Sequence, residues 1–135
     1  MRSRKSNESK GGKKIIMIVD NDQSILASLN PFFNSDFEII GMDNGPDALH
    51  YLKEIRIPDM VVLDMEMPKL NGRVFVRRIK FDPTHKKIPV LLISSIDSHL
   101  IINSFLKLGV EDYVVKPFEP SLLVEKIMKV ISPEK

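Results

Sequence analysis

Residues 60–72 run Met-Val-Val-Leu-Asp-Met-Glu-Met-Pro-Lys-Leu-Asn-Gly. Four apolar residues, 60–63, stand together without polar alternation and stop abruptly at Asp64. A run that short and continuous suits a strand covered on both faces. From Gly72 the chain continues as GRVFVRRIKF (72–81), in which apolar residues recur at helical spacing.

The same unit recurs on either side. Short apolar runs IIMIV (15–19), FEIIGM (37–42), MVVL (60–63), VLLI (90–93) and YVV (113–115) alternate with longer segments of helical period. These are SILASLNPFF (24–33), PDALHYLKEI (46–55), GRVFVRRIKF (72–81), HLIINSFLKL (99–108) and SLLVEKIMKVI (121–131). Five βα units predict an α/β protein with an open, doubly wound parallel sheet, because parallel strands need crossover connections and these are right-handed. A closed eight-stranded barrel needs about 250 residues, and the chain has 135. Local signals agree with the boundaries: Asp22 or Ser24 is expected to cap the first helix, Gly45-Pro46 to open the second and Gly109 to end the fourth. Pro31 lies inside the first helical run and predicts a kink or an early end there.

With 43% hydrophobic and 28% charged residues, the chain has the composition of a globular domain. The absence of cysteine excludes thiol nucleophiles and Cys-ligated zinc. No apolar stretch is long enough to span a bilayer, and the basic start lacks the apolar segment of a secretory signal, so a cytoplasmic protein without membrane contact is expected. The net charge of +2 conceals an uneven distribution: residues 1–14 carry six basic side chains against Glu8, whereas the remainder carries 14 basic and 17 acidic ones. Residues 1–13 are expected to be a disordered basic leader and 14–132 the domain. The acidic body offers no face for nucleic acid.

In an open parallel sheet, whatever follows each strand gathers on one edge, where ligands bind. Here these are Asp20-Asn21-Asp22, Asp64, Ser94-Ser95 and Lys116-Pro117. Carboxylates beside a lysine and a hydroxyl, with no Cys or His among them, form an oxygen-rich set suited to Mg²⁺. Phosphoryl transfer uses the same groups: a metal and a lysine to balance phosphoryl oxygens, and an Asp as nucleophile.

The motifs IMIVDND (16–22), VVLDMEMPKLNG (61–72), IPVLLISS (88–95) and GVEDYVVKPF (109–118), in this order and spacing, resemble the receiver domain of two-component response regulators, the CheY-like family. The resemblance covers about residues 14–132 and implies strand order 2-1-3-4-5. It implies that Asp64 accepts a phosphoryl group from a sensor histidine kinase or phosphotransfer protein, and that Asp20 and Asp64, with the backbone carbonyl of Glu66, hold Mg²⁺. Ser94 matches the switch hydroxyl, Lys116 the lysine paired with the phosphoryl group, and Tyr113 the aromatic switch; the bond before Pro117 is cis in the family. Output is implied through the face of the fourth helix, fifth strand and fifth helix, in a monomer or weak dimer. One receiver uses up this length, so output is expected through binding rather than through catalysis.

Two residues qualify the resemblance. Asn21 stands where the family usually has a second metal-binding acid, so weaker Mg²⁺ binding is expected. The Glu66 side chain is expected near the mouth of the site, either beside the phosphoryl group or simply solvated. Ile102 and Leu106, with His99, are expected to form an exposed apolar face beside Tyr113, and His50, His85 and His99 to lie at the surface. Two other readings remain: a receiver-like interaction module that is never phosphorylated, and a haloacid-dehalogenase-type phosphatase using Asp20. The second leaves Asp64 without a role and lacks the further acid that family needs after its lysine.

Overall fold

The structure, a computed structural model, describes residues 12–32, 37–67 and 69–131. Most of the expected basic leader lies outside the described residues. In chain order the elements are β1 (Lys14–Val19), α1 (Ser24–Leu29), β2 (Phe37–Met42), α2 (Gly45–Glu54), β3 (Met60–Asp64), α3 (Gly72–Lys80), β4 (Val90–Ser94), α4 (His99–Leu108), β5 (Asp112–Val115) and α5 (Pro120–Val130). The five strands are parallel and lie in the order β2-β1-β3-β4-β5. The fold class, strand order and every strand anticipated from the sequence are present.

The apolar runs behave as expected of doubly covered strands: residues 15–19, 60–63 and 90–93 are fully buried. Alternate side chains of each strand enter different cores, as the twofold strand period requires. Met17, Val19, Val61, Leu63 and Leu92 pack with Leu52 of α2, Phe75 and Ile79 of α3 and Phe105 of α4. Ile16, Ile18, Val62, Leu91 and Ile93 pack with Ile25 and Leu29 of α1 and Leu123 and Ile127 of α5. Each such Leu or Ile contributes about 1.5–3 kcal/mol relative to exposure, so the sheet is held rigidly and its edge presents side chains at defined places.

Three helix starts carry side-chain caps. Asn44 Oδ1 accepts from the Asp47 N–H (2.8 Å), Asn71 Oδ1 from the Val74 N–H (2.9 Å) and Ser98 Oγ from the Ile101 N–H (3.5 Å). Gly109 ends α4 at φ 111°, in the left-handed region. At Pro31 α1 has already stopped at Leu29, and residues 30–32 form a single 3₁₀ turn, which tolerates the missing donor. Asp22 opens α1 from just outside it: its Oδ1 accepts from the Ser24 N–H (3.1 Å) and hydroxyl (2.7 Å).

Two expectations are corrected. His85 is buried, not at the surface: the loop after α3 folds beneath α2, placing His85 Nε2 3.1 Å from the Leu52 carbonyl oxygen and Nδ1 3.3 Å from Asp82. The carbonyl and the carboxylate supply the polar partners that make its burial tolerable. Ile102 is also buried, 3% exposed, because α4 turns Ile102 and Phe105 inward one turn apart. The outward apolar side chains of α4 are Leu106 and, on another side, Leu100. His99 is exposed as expected.

Candidate functional site

Strand register assembles the polar groups at one edge. Val19 is level with Leu63, Asp64 with Ile93, and Ser94 with Val115, so residues 20, 64, 94 and 116 finish their strands side by side. Backbone bonds carry the ladder into the loops: Met65 N–H donates to Ile93 O and Lys116 N–H to Ser94 O, both at 2.8 Å. The chain thus brings together Asp20, Asp64, Ser94 and Lys116, which lie far apart in sequence.

Asp20, Asp64 and Ser94 are 2%, 2% and 1% exposed. Asp64 Oδ1 accepts from the Glu66 N–H (3.1 Å), and its Oδ2 lies 3.3 Å from Lys116 Nζ. Asp20 Oδ1 accepts from the Asp22 N–H (2.8 Å), and the Gln23 amide donates to the Asp20 carbonyl. Burial pushes the Asp20 carboxyl up to about 6; the Asp22 N–H and Lys116 draw it down, while the charge of Asp64 adds to the rise. Asp22, fully exposed, is held below its usual range by the Ser24 hydroxyl and N–H.

The rise of Asp20 has a consequence for stability. Between an unfolded carboxyl near 3.8 and a folded one raised to about 6, the folded state binds the proton more tightly, so stability falls as pH rises through that window. Urea unfolding in EDTA at pH 4.5 and 7 is expected to show this loss in the wild type and much less of it in Asp20→Asn. Equal pH dependence in the two would contradict it.

The site matches a hard divalent cation in its donor chemistry. Asp20 and Asp64 offer oxygen ligands only, and their mutual repulsion is what such an ion relieves. Among the described residues no group of three His, Cys, Asp or Glu side chains is arranged for a metal; Asp20 and Asp64 meet, and Asn21 beside them is exposed. An open cleft of about 660 Å³ beside these acids is lined by Asp20, Asp22, Ser28, Ser95, Lys116 and Phe118, among others. The Lys116-Pro117 bond is cis. Tyr113 is half-buried against the core on the side of α2, α3 and α4.

The Glu66 side chain is exposed, as a solvated loop acid would be, and it is also hydrogen-bonded. Its carboxylate accepts from the Ser95 N–H (3.2 Å), the Ser95 hydroxyl (2.9 Å) and the Ser94 hydroxyl (3.3 Å). Sequence alone had no signal for this link, since it joins loops 28 and 29 residues apart.

A five-stranded parallel sheet in this order, with acids, a hydroxyl and a lysine converging on one edge, defines a receiver-type α/β domain. Residues 16–128 match the response regulator receiver domain family. Chemotaxis protein CheY of Thermotoga maritima is 31% identical over 121 residues, 88% of this chain and 98% of that protein. Sensory transduction protein BceR of Halalkalibacterium halodurans is 25% identical over 86% of this chain, which spans 49% of that protein's length. The BeF3-activated DrrB receiver domain superposes with a TM-score of 0.76 at 26% identity, covering 88% of this chain and 97% of that one. The chain belongs to the response regulator receiver domain family and serves two-component phosphorelay signalling. Members are signalling proteins rather than conventional enzymes and interact with histidine kinases and downstream targets. The family match gives no support to the haloacid-dehalogenase reading. No described helix is long and apolar enough to cross a membrane.

Proposed function

We propose that Asp64 is the phosphoryl acceptor, with residues 14–132 as the receiver and 1–13 as a basic leader. The observation that carries this is the Lys116 ammonium 3.3 Å from Asp64 at an edge shared with Asp20 and Ser94. A carboxylate oxygen of Asp64 bonds to phosphorus as the phosphorus–nitrogen bond of a phosphohistidine breaks, and the electron pair remains on the imidazole of the kinase or phosphotransfer protein. Lys116 balances the charge on the phosphoryl oxygens, and the Ser94 hydroxyl donates to one of them. That Lys116 faces Asp64 favours Asp64 over Asp20 as the nucleophile.

Asp20, Asp64 and the backbone carbonyl of Glu66 would hold Mg²⁺, with the Asn21 amide oxygen in place of a second acid. The ion neutralises the phosphoryl oxygens when bound. Because it adds one negative charge to the site, Asn21→Asp is expected to bind Mg²⁺ about tenfold more tightly; calorimetric titration of the two proteins checks this, and equal affinities would refute it.

Phosphorylation then shifts Ser94 and Tyr113 between two packings and alters the α4-β5-α5 face, where Leu106 and His99 are exposed. This face binds the downstream protein, with the domain a cytoplasmic monomer or weak dimer. Incubation with acetyl phosphate and Mg²⁺ followed by intact mass is expected to show one added phosphoryl group, lost in Asp64→Ala. A wild type that takes up none would instead be a phosphorylation-independent interaction module.

A further inference from the structure

The N–H and hydroxyl of Ser95 and, shared with the Ile96 carbonyl at the same 3.3 Å, the hydroxyl of Ser94 at the end of β4 converge on one anion that is part of the chain itself. Glu66 Oε2 receives the Ser94 hydroxyl (3.3 Å), the Ser95 N–H (3.2 Å) and the Ser95 hydroxyl (2.9 Å), while Oε1 lies 3.2 Å from the same N–H. Two residues away the Glu66 N–H donates to Asp64 Oδ1 (3.1 Å). The carboxylate therefore hangs over the mouth of the site from the backbone that also binds Asp64.

Ser94 follows Ile93, the register partner of Asp64, and Ser95 lines the acidic cleft, so these donors lie at the same edge as a phosphoryl group on Asp64. A carboxylate and a phosphoryl group ask the same of a donor: both are anionic oxygen acceptors that strengthen and shorten the bond. Both cannot hold the same N–H and hydroxyl at full strength. We propose that Glu66 is a positioning residue, an internal stand-in for the phosphoryl group. Its carboxylate holds Ser94 and Ser95 in the unphosphorylated chain and must be displaced when Asp64 is phosphorylated. This deepens the assignment of Asp64 as acceptor and rests on it.

Two effects act in the same direction. An incoming anionic donor meets the Glu66 charge at the entrance, and the new phosphoryl oxygens gain their donors only as Glu66 gives them up. Glu66 thereby slows phosphoryl uptake and weakens the binding of phosphoryl mimics.

The test compares the full chain with Glu66→Gln and Glu66→Ala at saturating Mg²⁺, since removing the charge also lowers attraction for the ion. Beryllofluoride affinity and the rate of phosphorylation by acetyl phosphate are both expected to rise, by about tenfold in Glu66→Ala, with Glu66→Gln between it and the wild type. In the metal-free, unphosphorylated chain, the Ser95 amide proton is expected to exchange faster and move upfield in Glu66→Ala. A wild type and variants that bind beryllofluoride equally, or variants that bind it more weakly, would overturn the proposal while leaving Asp64 as acceptor. If neither wild type nor variant binds it or takes up a phosphoryl group, the assignment of Asp64 falls and this proposal with it. An unchanged Ser95 amide would overturn the resting contact on its own.

Discussion

Lys116→Ala is expected to slow phosphorylation of Asp64 by acetyl phosphate about a hundredfold, in the range found when one preorganised charged or hydrogen-bonding group is removed from the site of a developing anion. In the resting chain the ammonium lies 3.3 Å from Asp64, on a side chain one-third exposed against a carboxylate almost wholly buried. It acts at short range in a poorly solvated place, where its charge is weakly screened. The fold itself is expected to persist, because Lys116 lies beyond the end of β5 and the cores do not include it. Circular dichroism checks the fold and intact mass over time gives the rate. Lys116→Arg restores the charge in a longer planar group and is expected to recover part of the rate. A Lys116→Ala protein phosphorylated as fast as the wild type would remove Lys116 from the mechanism.

Gly72→Val is expected to cost about 2–3 kcal/mol of stability and to slow phosphoryl uptake along with it. A Cβ at Gly72 would lie 3.0 Å from the Met65 carbonyl oxygen and 3.1 Å from its Cα. The obstacle is backbone, so it cannot be relieved by turning a side chain, and a β-branched residue adds a further methyl group. Met65 follows Asp64 directly and donates its N–H to Ile93; displacing it moves Asp64 relative to Lys116 and Ser94. Gly72→Ala is expected to show a smaller loss in the same direction. Urea midpoints and phosphorylation rates measured on the same preparations check this, and unaltered midpoints would contradict it.

Glu66 and His85 show where the sequence stopped being informative. The acid after MVVL, the hydroxyl after VLLI and the lysine after YVV are legible because strand ends are marked by an apolar run breaking at a polar residue, and parallel strands put all such ends on one edge. What Glu66 touches depends on how two loops lie against each other, and no local periodicity encodes that. His85 has the same cause in another place: its sequence neighbours Asp82, Thr84 and Lys86 are polar, as at a surface, yet the loop passes beneath α2 and offers it the Leu52 carbonyl. For α4 the composition announced an excess of apolar residues, but which of them point outward follows from the angle at which the helix rests on the sheet. Leu106 and His99 are exposed, while Ile102 belongs to the core.

The order of apolar runs and helical segments was enough to determine five βα units, an open sheet and the polar residues that end its strands on one edge, because hydrophobic period and crossover handedness leave few alternatives. Pro31 and Gly109 likewise announced their local effects, since a missing donor or a left-handed backbone acts within one turn. Only the tertiary structure decided that Lys116 faces Asp64, that Asp20 is buried deeply enough for its carboxyl to rise to about 6, and that Glu66 occupies the donors of Ser94 and Ser95. These are distances and degrees of desolvation between groups far apart in the chain, and they take values only once the strands are in register.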